Sequence, residues 1–395
     1  MKKPNPNPKR SRKIRALHRE QHGCDPECVA VVPGRLVLLG NGEYVDDGLS
    51  LACAIGKYTW VSASHRADRR LVIHSEWAGQ TIHISPRAPN PAGHGFWADY
   101  VVGVWGHLAG KSSPQQGVSL TIAGNLPPGI GLGSSASLQM GVSLVLRSLW
   151  DLRMDDRDLA LCAHRSENYF VGVRTGLVDH LVVIEAKQDR ILHLDCSTLD
   201  SEQIDMPCDC KYVVCDSGLH RALARAPFNK RRKELDEALV FYRNQYPGLT
   251  GFRQVNAEML VRSAQDLSPV ALKRARHVVT ENDRVRRAAI AIRWGDFETL
   301  GGLMLSSYRS SKDAFETSTP ELDEIIRIGR RNKGLLGAGI CGPGFGGCTM
   351  HLIKKDQSSA LIRDIKRNYK TPGNRPPRIY SFTPVSGASV AILKH

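Results

Sequence analysis

The sequence has no paired CxxC spacing and no apolar core of the signal-peptide kind at its N-terminus. It also lacks any apolar run near the roughly 20 residues that a bilayer span needs. Its ten cysteines are scattered, and the close pairs Cys24/Cys28 and Cys208/Cys210 have no histidines at ligand spacing. They read as ordinary thiols of a reducing compartment rather than as a disulfide framework. A cytoplasmic chain with no membrane partner is the expectation. No acidic residue occurs in the first 19 positions. There Lys2, Lys3, Lys9, Arg10, Arg12, Lys13, Arg15 and Arg19 supply more than half of the formal net charge of +15. Such a tail can bind nucleic acid or anionic lipid, but a short one is more often a solvated terminus. No groove-reading motif accompanies it, so nucleic-acid binding ranks last. The smaller basic excess of the body suits an enzyme whose ligands are polyanions.

What is present is an ordinary globular composition in 395 residues, enough to bury a core in each of two domains. Residues 1–10 carry Pro4, Pro6 and Pro8 and are expected to be disordered, with a short basic helix from Arg12 to Gln21. Strand patterns follow at Val29–Val32 and Arg35–Leu39, split by Pro33-Gly34, then at 49–55, 58–64, 71–75, 80–85 and 118–123. Helices are expected over 96–108, with Trp97, Tyr100, Val101 and Val104 sharing one face, and over 138–146 and 157–169. The runs 181–185 and 190–194 read as a strand pair, and 212–215 as a buried strand. From Lys230 to Arg331 the pattern is helical. A glycine-rich segment (334–347), a strand (349–353), a helix (359–368) and a last strand (388–393) complete the chain. The composition shifts near 205–210. This divides the chain into a basic tail (1–19), a β-rich unit (20–207) and a helix-rich unit (208–395), an α+β architecture with a cleft between two domains.

The most informative stretch runs from Asn125 to Leu138, between a strand pattern and a buried-helix pattern. Gly129, Gly131 and Gly133 let backbone N–H groups converge, and the following helix adds the positive end of its dipole. Ser134 and Ser135 at the helix start can cap it, and one hydroxyl can reach a cation bound to an anion held there. A glycine-rich turn often serves only close packing. Here Pro127-Pro128, three spaced glycines and Ser134-Ser135-Ala136-Ser137 fall together and favour phosphate. No lysine follows Gly133, so this is not a Walker motif, and no acidic residue stands where a dinucleotide fingerprint needs one.

The form Pro-x-Gly-x-Gly-Leu-Gly-Ser-Ser-Ala, Pro127 to Ala136, resembles the ATP-binding motif of the GHMP small-molecule kinases. Pro33-Gly34-Arg35-Leu36-Val37-Leu38-Leu39-Gly40 resembles the first motif of that superfamily. Gly342-Pro343-Gly344-Phe345-Gly346-Gly347-Cys348-Thr349 resembles the third. Within the superfamily the likeness is to galactokinase, through Trp97–Val101, Ser166–Gly172, Gly176–His180, Arg231-Arg232, Arg276–Val279 and Ser318–Asp323, and covers residues 20–395. The resemblance implies a two-domain GHMP kinase fold, with a ribosomal-S5-like N-terminal domain and a ferredoxin-like C-terminal one. ATP would be held by Pro128, Gly129, Gly131, Leu132, Gly133, Ser134, Ser135 and Ala136, with Trp97 and Tyr100 toward adenine. Core packing is the competing role for that aromatic pair. Mg²⁺ would be held by Ser135 and Glu167. Asp179 would be the base, with Arg35 beside it to steady the γ-phosphoryl. A monomer or homodimer is expected.

The acceptor side departs from the pattern. Where galactokinases have Gly-Glu-His-Thr-Asp-Tyr after the first motif, this chain has Gly40-Asn41-Gly42-Glu43-Tyr44-Val45. A shift of one or two residues brings Glu43 and Asp46 into play without restoring the pattern. Phe228 stands where a tyrosine is usual, Arg174-Thr175 replaces a proline-cysteine before Gly176, and His180 replaces a glutamine. Substrate contacts are therefore expected from Asn41, Glu43, Tyr44, Asp46, Arg174, Gly176, His180, Phe228, Gly344 and Gly346. The pocket should be roomier and more positive than a galactose site, and suit a larger, acidic or nucleoside-type sugar-like alcohol. True galactokinase activity and a non-catalytic ATP- and sugar-binding sensor are the alternatives.

Overall fold

The structure is a computed structural model describing residues 8–40, 47–85, 91, 96–109, 117–206, 209–219 and 225–393. It begins with helix α1, Pro8–His22. Residues 8–19 are thus not a disordered tail. Ile14 and His18 are buried on the sheet, His18 between the hydroxyls of Ser62 and Ser64 at 3.0 Å each, and Arg10 and Lys13 pair with Glu76.

Strands β1 (Cys28–Gly40) and β2 (Leu49–Arg66) pair antiparallel along almost their whole length. Each merges two strands expected from the sequence. The break expected at Pro33-Gly34 is instead a register shift inside one ladder, because Gly56 and Lys57 are extra on β2. The shift re-aims β1. Before it, Ala30 and Val32 face the helical layer, whereas beyond it Val37 and Arg35 do. A bulge is a common device for this beside a functional site.

β3 (Leu71–Ser75), β4 (Gln80–Ile84), β5 (Gly117–Gly124), β6 (Arg190–Asp195) and β7 (Ser201–Asp205) extend this sheet. Its helical layer is α2 (Asp99–Ala109), α3 (Ser134–Leu149), α4 (Asp156–Arg165) and α5 (Val178–Glu185). α5 corrects the strand expected at 181–185. Short apolar runs do not distinguish buried helix from strand, and here Leu181 to Ile184 are buried all round. The helix expected over 157–169 leaves α-geometry at Arg165 and continues as a π-helical turn, Ser166–Val171.

The second sheet has the order β11-β8-β10-β9, all antiparallel. Its strands are β8 (Cys210–Asp216), β9 (Leu335–Ile340), β10 (Cys348–Lys354) and β11 (Ile379–Phe382). β9 lies inside the glycine-rich stretch and was not expected. Alternation along β8 serves two cores. Tyr212 and Val214 face β1 with α8 (Pro269–Arg293) and α9 (Phe297–Ser310), and Val213 and Cys215 face α10 (Pro320–Gly329) and α11 (Ser358–Asn368). α6 (Arg225–Gln245) and α7 (Ala257–Arg262) pack with α8 in a further core. The chain then returns to the first sheet through β12 (Pro384–Val385) and β13 (Ser389–Ile392), completing nine strands among the described residues. Among those residues no helix is long and apolar enough to cross a membrane.

Candidate active site

The first and second motifs are built into each other. Arg35 donates its backbone N–H to Leu132 O at 2.9 Å and Nη1–H to Gly131 O at 2.5 Å. Gly34 admits this approach, since a Cβ there would lie 2.7 Å from Leu132 O. Gly129, Gly131 and Gly133 all have positive φ, and Gly133 is packed over the Arg35 side chain. Gly133 is also the N-cap of α3, with no side-chain cap bond. The serines do not cap as expected. The first N–H groups of α3 stay available to an anion, and Ser134 Oγ instead accepts from Gly129 N at 3.4 Å.

Asp179, in the first turn of α5, receives two bonds from Arg35, Nε to Oδ1 and Nη2 to Oδ2, each at 2.6 Å. The arginine side chain is 3% exposed and the aspartate 18%. One guanidinium thus ties the base candidate to the glycine loop, and losing either partner of such a buried pair costs about 3–5 kcal/mol. Most of its donors are committed to this tie, so Arg35 acts first on Asp179 and the loop.

Glu167 is carried by the π-helical turn and is 3% exposed. Burial pushes its carboxyl up to about 8; the charge of Asp179 adds to the rise, and Ser135, Thr175 and Arg35 oppose it. Thr175 Oγ1 acts by proximity, since it makes no hydrogen bond of normal geometry. A buried carboxylate and a half-buried hydroxyl side by side, near a second carboxylate, fit a small hard cation that keeps most of its shell from water and phosphate. Among the described residues there is no cluster of three His, Cys, Asp or Glu that could hold a metal ion.

Trp97 and Tyr100 flank the start of α2, half-buried against the core of the helical layer. Gly344 and Gly346 have positive φ in the turn between β9 and β10, facing Thr317 and Leu219. Gly40 and Gly342 line one cavity of about 50 Å³ with His277, Glu281 and Ser307, so the first and third motifs meet there.

The expected substrate contacts divide sharply. Asn41, Glu43, Tyr44 and Asp46 lie outside the described residues. Gly176 is buried at the entry to α5. Three of the others take the following places. Arg174 is exposed and paired with Asp236 on α6 at 2.8 Å. Phe228 is 4% exposed in the core of α6 and α8. His180 is fully buried behind Glu167, bonded to Gln139 at 2.8 Å, and burial above all holds its imidazole well below the usual 6.5. Of the groups expected to make the pocket more positive, Arg174 is neutralised by an ion pair and His180 by burial.

The sequence reading passed over Glu281 and Asn282. These consecutive residues of α8 grip both flanks of segment 41–46, Glu281 Oε1 accepting from Gly40 N at 3.0 Å and Asn282 Oδ1 from Leu49 N at 2.9 Å. Burial opposes ionisation of Glu281, but Arg284, His277 and Ser307 outweigh it and hold its pKa below the usual value. Two acidic or amide residues amid the arginines of a long helix gave no signal of this role.

Known proteins share this fold. The profile of the GHMP kinases N terminal domain matches residues 99–186, and that of the GHMP kinases C terminal domain residues 287–371. The galactokinase of Lactococcus lactis, solved with galactose, has a TM-score of 0.90 at 28% identity, over 97% of this chain and 100% of that one. The mevalonate kinase of Methanococcus jannaschii (TM-score 0.62, 16% identity, 91% and 98% covered) and the homoserine kinase of Cytophaga hutchinsonii (0.56, 15%, 92% and 98%) share the fold. With the N- and C-terminal domain models matched in order and a galactokinase structure aligned over 97% of the chain, the chain belongs to the GHMP kinase superfamily.

Proposed function

We propose that this chain is an ATP-dependent kinase acting on a hydroxyl of a sugar-like small molecule other than galactose. The observation that carries the catalytic part is the buried Arg35–Asp179 pair fastened to the glycine loop beside Glu167 and Ser135. In this reading the loop N–H groups from Gly129 to Ala136 and the start of α3 hold the phosphates, and Trp97 and Tyr100 border the adenine. Ser135 and Glu167 would hold Mg²⁺, which supplies charge neutralisation at the phosphates. Asp179 takes the proton of the acceptor hydroxyl as that oxygen bonds to the γ-phosphorus and ADP leaves. Arg35 keeps the carboxylate aimed. Phosphoryl transfer asks little else of a protein than this positioning and charge balance.

The acceptor part rests on sequence. Asn41, Gly42 and Tyr44 replace the acid, imidazole and acid with which galactokinases grip sugar hydroxyls, and a site that loses such partners loses discrimination steeply. The acceptor would lie between the end of β1, the α8 residues that flank segment 41–46, and the turn at Gly344 and Gly346. Galactose itself is the second reading, favoured by the likeness to the Lactococcus lactis enzyme. Phosphate transfer from ATP to galactose, heptoses, uronic acids and nucleosides tests both. Turnover of a non-galactose acceptor, lost in Asp179→Asn, supports the first reading; efficient turnover of galactose alone overturns it. No turnover with any acceptor, alongside intact ATP binding, would leave the sensor.

A further inference from the structure

His180 is a histidine with a defined tautomer and no route to solvent. The side-chain amide of Gln139 donates Nε2–H to Ala163 O at 3.3 Å, which turns its Oε1 toward the imidazole. His180 Nε2 lies 2.8 Å from that oxygen and 3.5 Å from Glu167 Oε2. The Gln139 oxygen can only accept, so Nε2 carries the proton. Nδ1 is buried without a hydrogen-bond partner. An orphaned ring nitrogen in a closed core is costly. A glutamine or an apolar residue would fill the space without that cost. The imidazole Nε2–H thus donates to Gln139 and lies beside Glu167, on an element, α5, that also carries Asp179.

We propose that His180 is a positioning residue for the Glu167 carboxylate, its Nε2–H fixed by Gln139 so that Glu167 presents one oxygen to the cation. This rests on the reading of Glu167 as a cation ligand. Ala163 O, Gln139 and His180 then form one hydrogen-bonded chain running from α4 through α3 to α5, with Glu167 Oε2 of the π-helical turn 3.5 Å beyond it. Partners behind a metal ligand commonly change metal affinity about 10–100-fold when removed.

The test measures, by calorimetry on the full chain, the affinity for the ATP analogue AMP-PNP with and without Mn²⁺. The ratio of the two reports the metal's contribution. His180→Phe fills the space without a donor and is expected to cut that ratio about tenfold, leaving the metal-free affinity as it was. His180→Gln, which keeps an N–H, should recover most of the loss. A His180→Phe protein with the wild-type ratio overturns the proposal, as does a His180→Gln protein as weak as His180→Phe. Should His180→Phe fail to melt cooperatively, Gln139→Met removes the fixing acceptor instead. A smaller loss in the same direction is expected, and an unchanged ratio overturns the proposal. Glu167→Gln separates the two layers. If it keeps the full ratio, the cation-site reading fails whatever His180 does; if it abolishes the ratio and His180→Phe does not alter it, only the His180 inference fails.

Discussion

The two ends of the cleft are held together by different physics. At the nucleotide end, elements of one sheet-and-helix unit lock through backbone carbonyls, positive-φ glycines and one buried arginine. At the proposed acceptor end, Gly40 and Leu49 are held by side chains from the other half, Glu281 and Asn282 on α8. Backbone groups recognise any phosphate alike, whereas side chains recognise particular hydroxyls. A family can therefore keep the first end fixed in sequence while the second drifts.

The largest effect that could break this comparison comes from Asp179→Asn. Steady-state assays should show kcat lowered about 10²–10⁴-fold, the usual contribution of a proton acceptor, with AMP-PNP affinity within about threefold. Unchanged turnover would remove Asp179 as the base. Next is the pH dependence of the cation contribution. The folded, cation-free protein holds a proton on Glu167 up to about 8, whereas the unfolded chain releases it above the ordinary 4.5. The raised carboxyl therefore costs stability progressively from about pH 4.5 to 8, and a cation must displace its proton. Mg²⁺-dependent tightening of nucleotide binding should grow from pH 6 to 8, by up to about tenfold per unit, and then level off. Calorimetry in two buffers should show the proton released, and a flat profile with no release would contradict the site as drawn.

The acceptor end should respond separately. Glu281→Gln weakens the bonds to Gly40 and Arg284, and should raise the acceptor KM about tenfold, the scale of a hydrogen bond to a charged group, while the ATP KM stays constant. Equal changes in both constants would mean that the two ends are not separable. The smallest effect belongs to Arg174→Ala. An exposed ion pair is worth about 0–1 kcal/mol, so kinetics should change less than about threefold even with an acidic acceptor. A large loss confined to acidic acceptors would restore Arg174 to the site.

What the sequence made legible follows the same division. The glycine loop and the buried helix behind it are local patterns, and the roles proposed for Asp179 and Glu167 come from the resemblance of the surrounding motifs to those of the GHMP kinases. The π-helical turn was not legible, because it breaks the helix period for only six residues, and it is what aims Glu167. The reversal of β1 at Pro33-Gly34 depends on two extra residues in the partner strand, which no reading of β1 alone reveals. The burial of His180 and Phe228 was not legible, because a departure from a family pattern does not show whether its position faces the core. Nor was the pairing of Arg174, whose partner, Asp236, is 62 residues away.

The central claim is that the donor end is a working kinase site while the acceptor end has changed its substrate. Its most direct measurement is kcat/KM for ATP-dependent phosphorylation across galactose, heptoses, uronic acids and nucleosides, with Asp179→Asn beside the wild type. The account predicts an acceptor turned over at least about 100-fold better than galactose, with that turnover lost in the variant. Galactose as the best acceptor, or turnover surviving in Asp179→Asn, would contradict it.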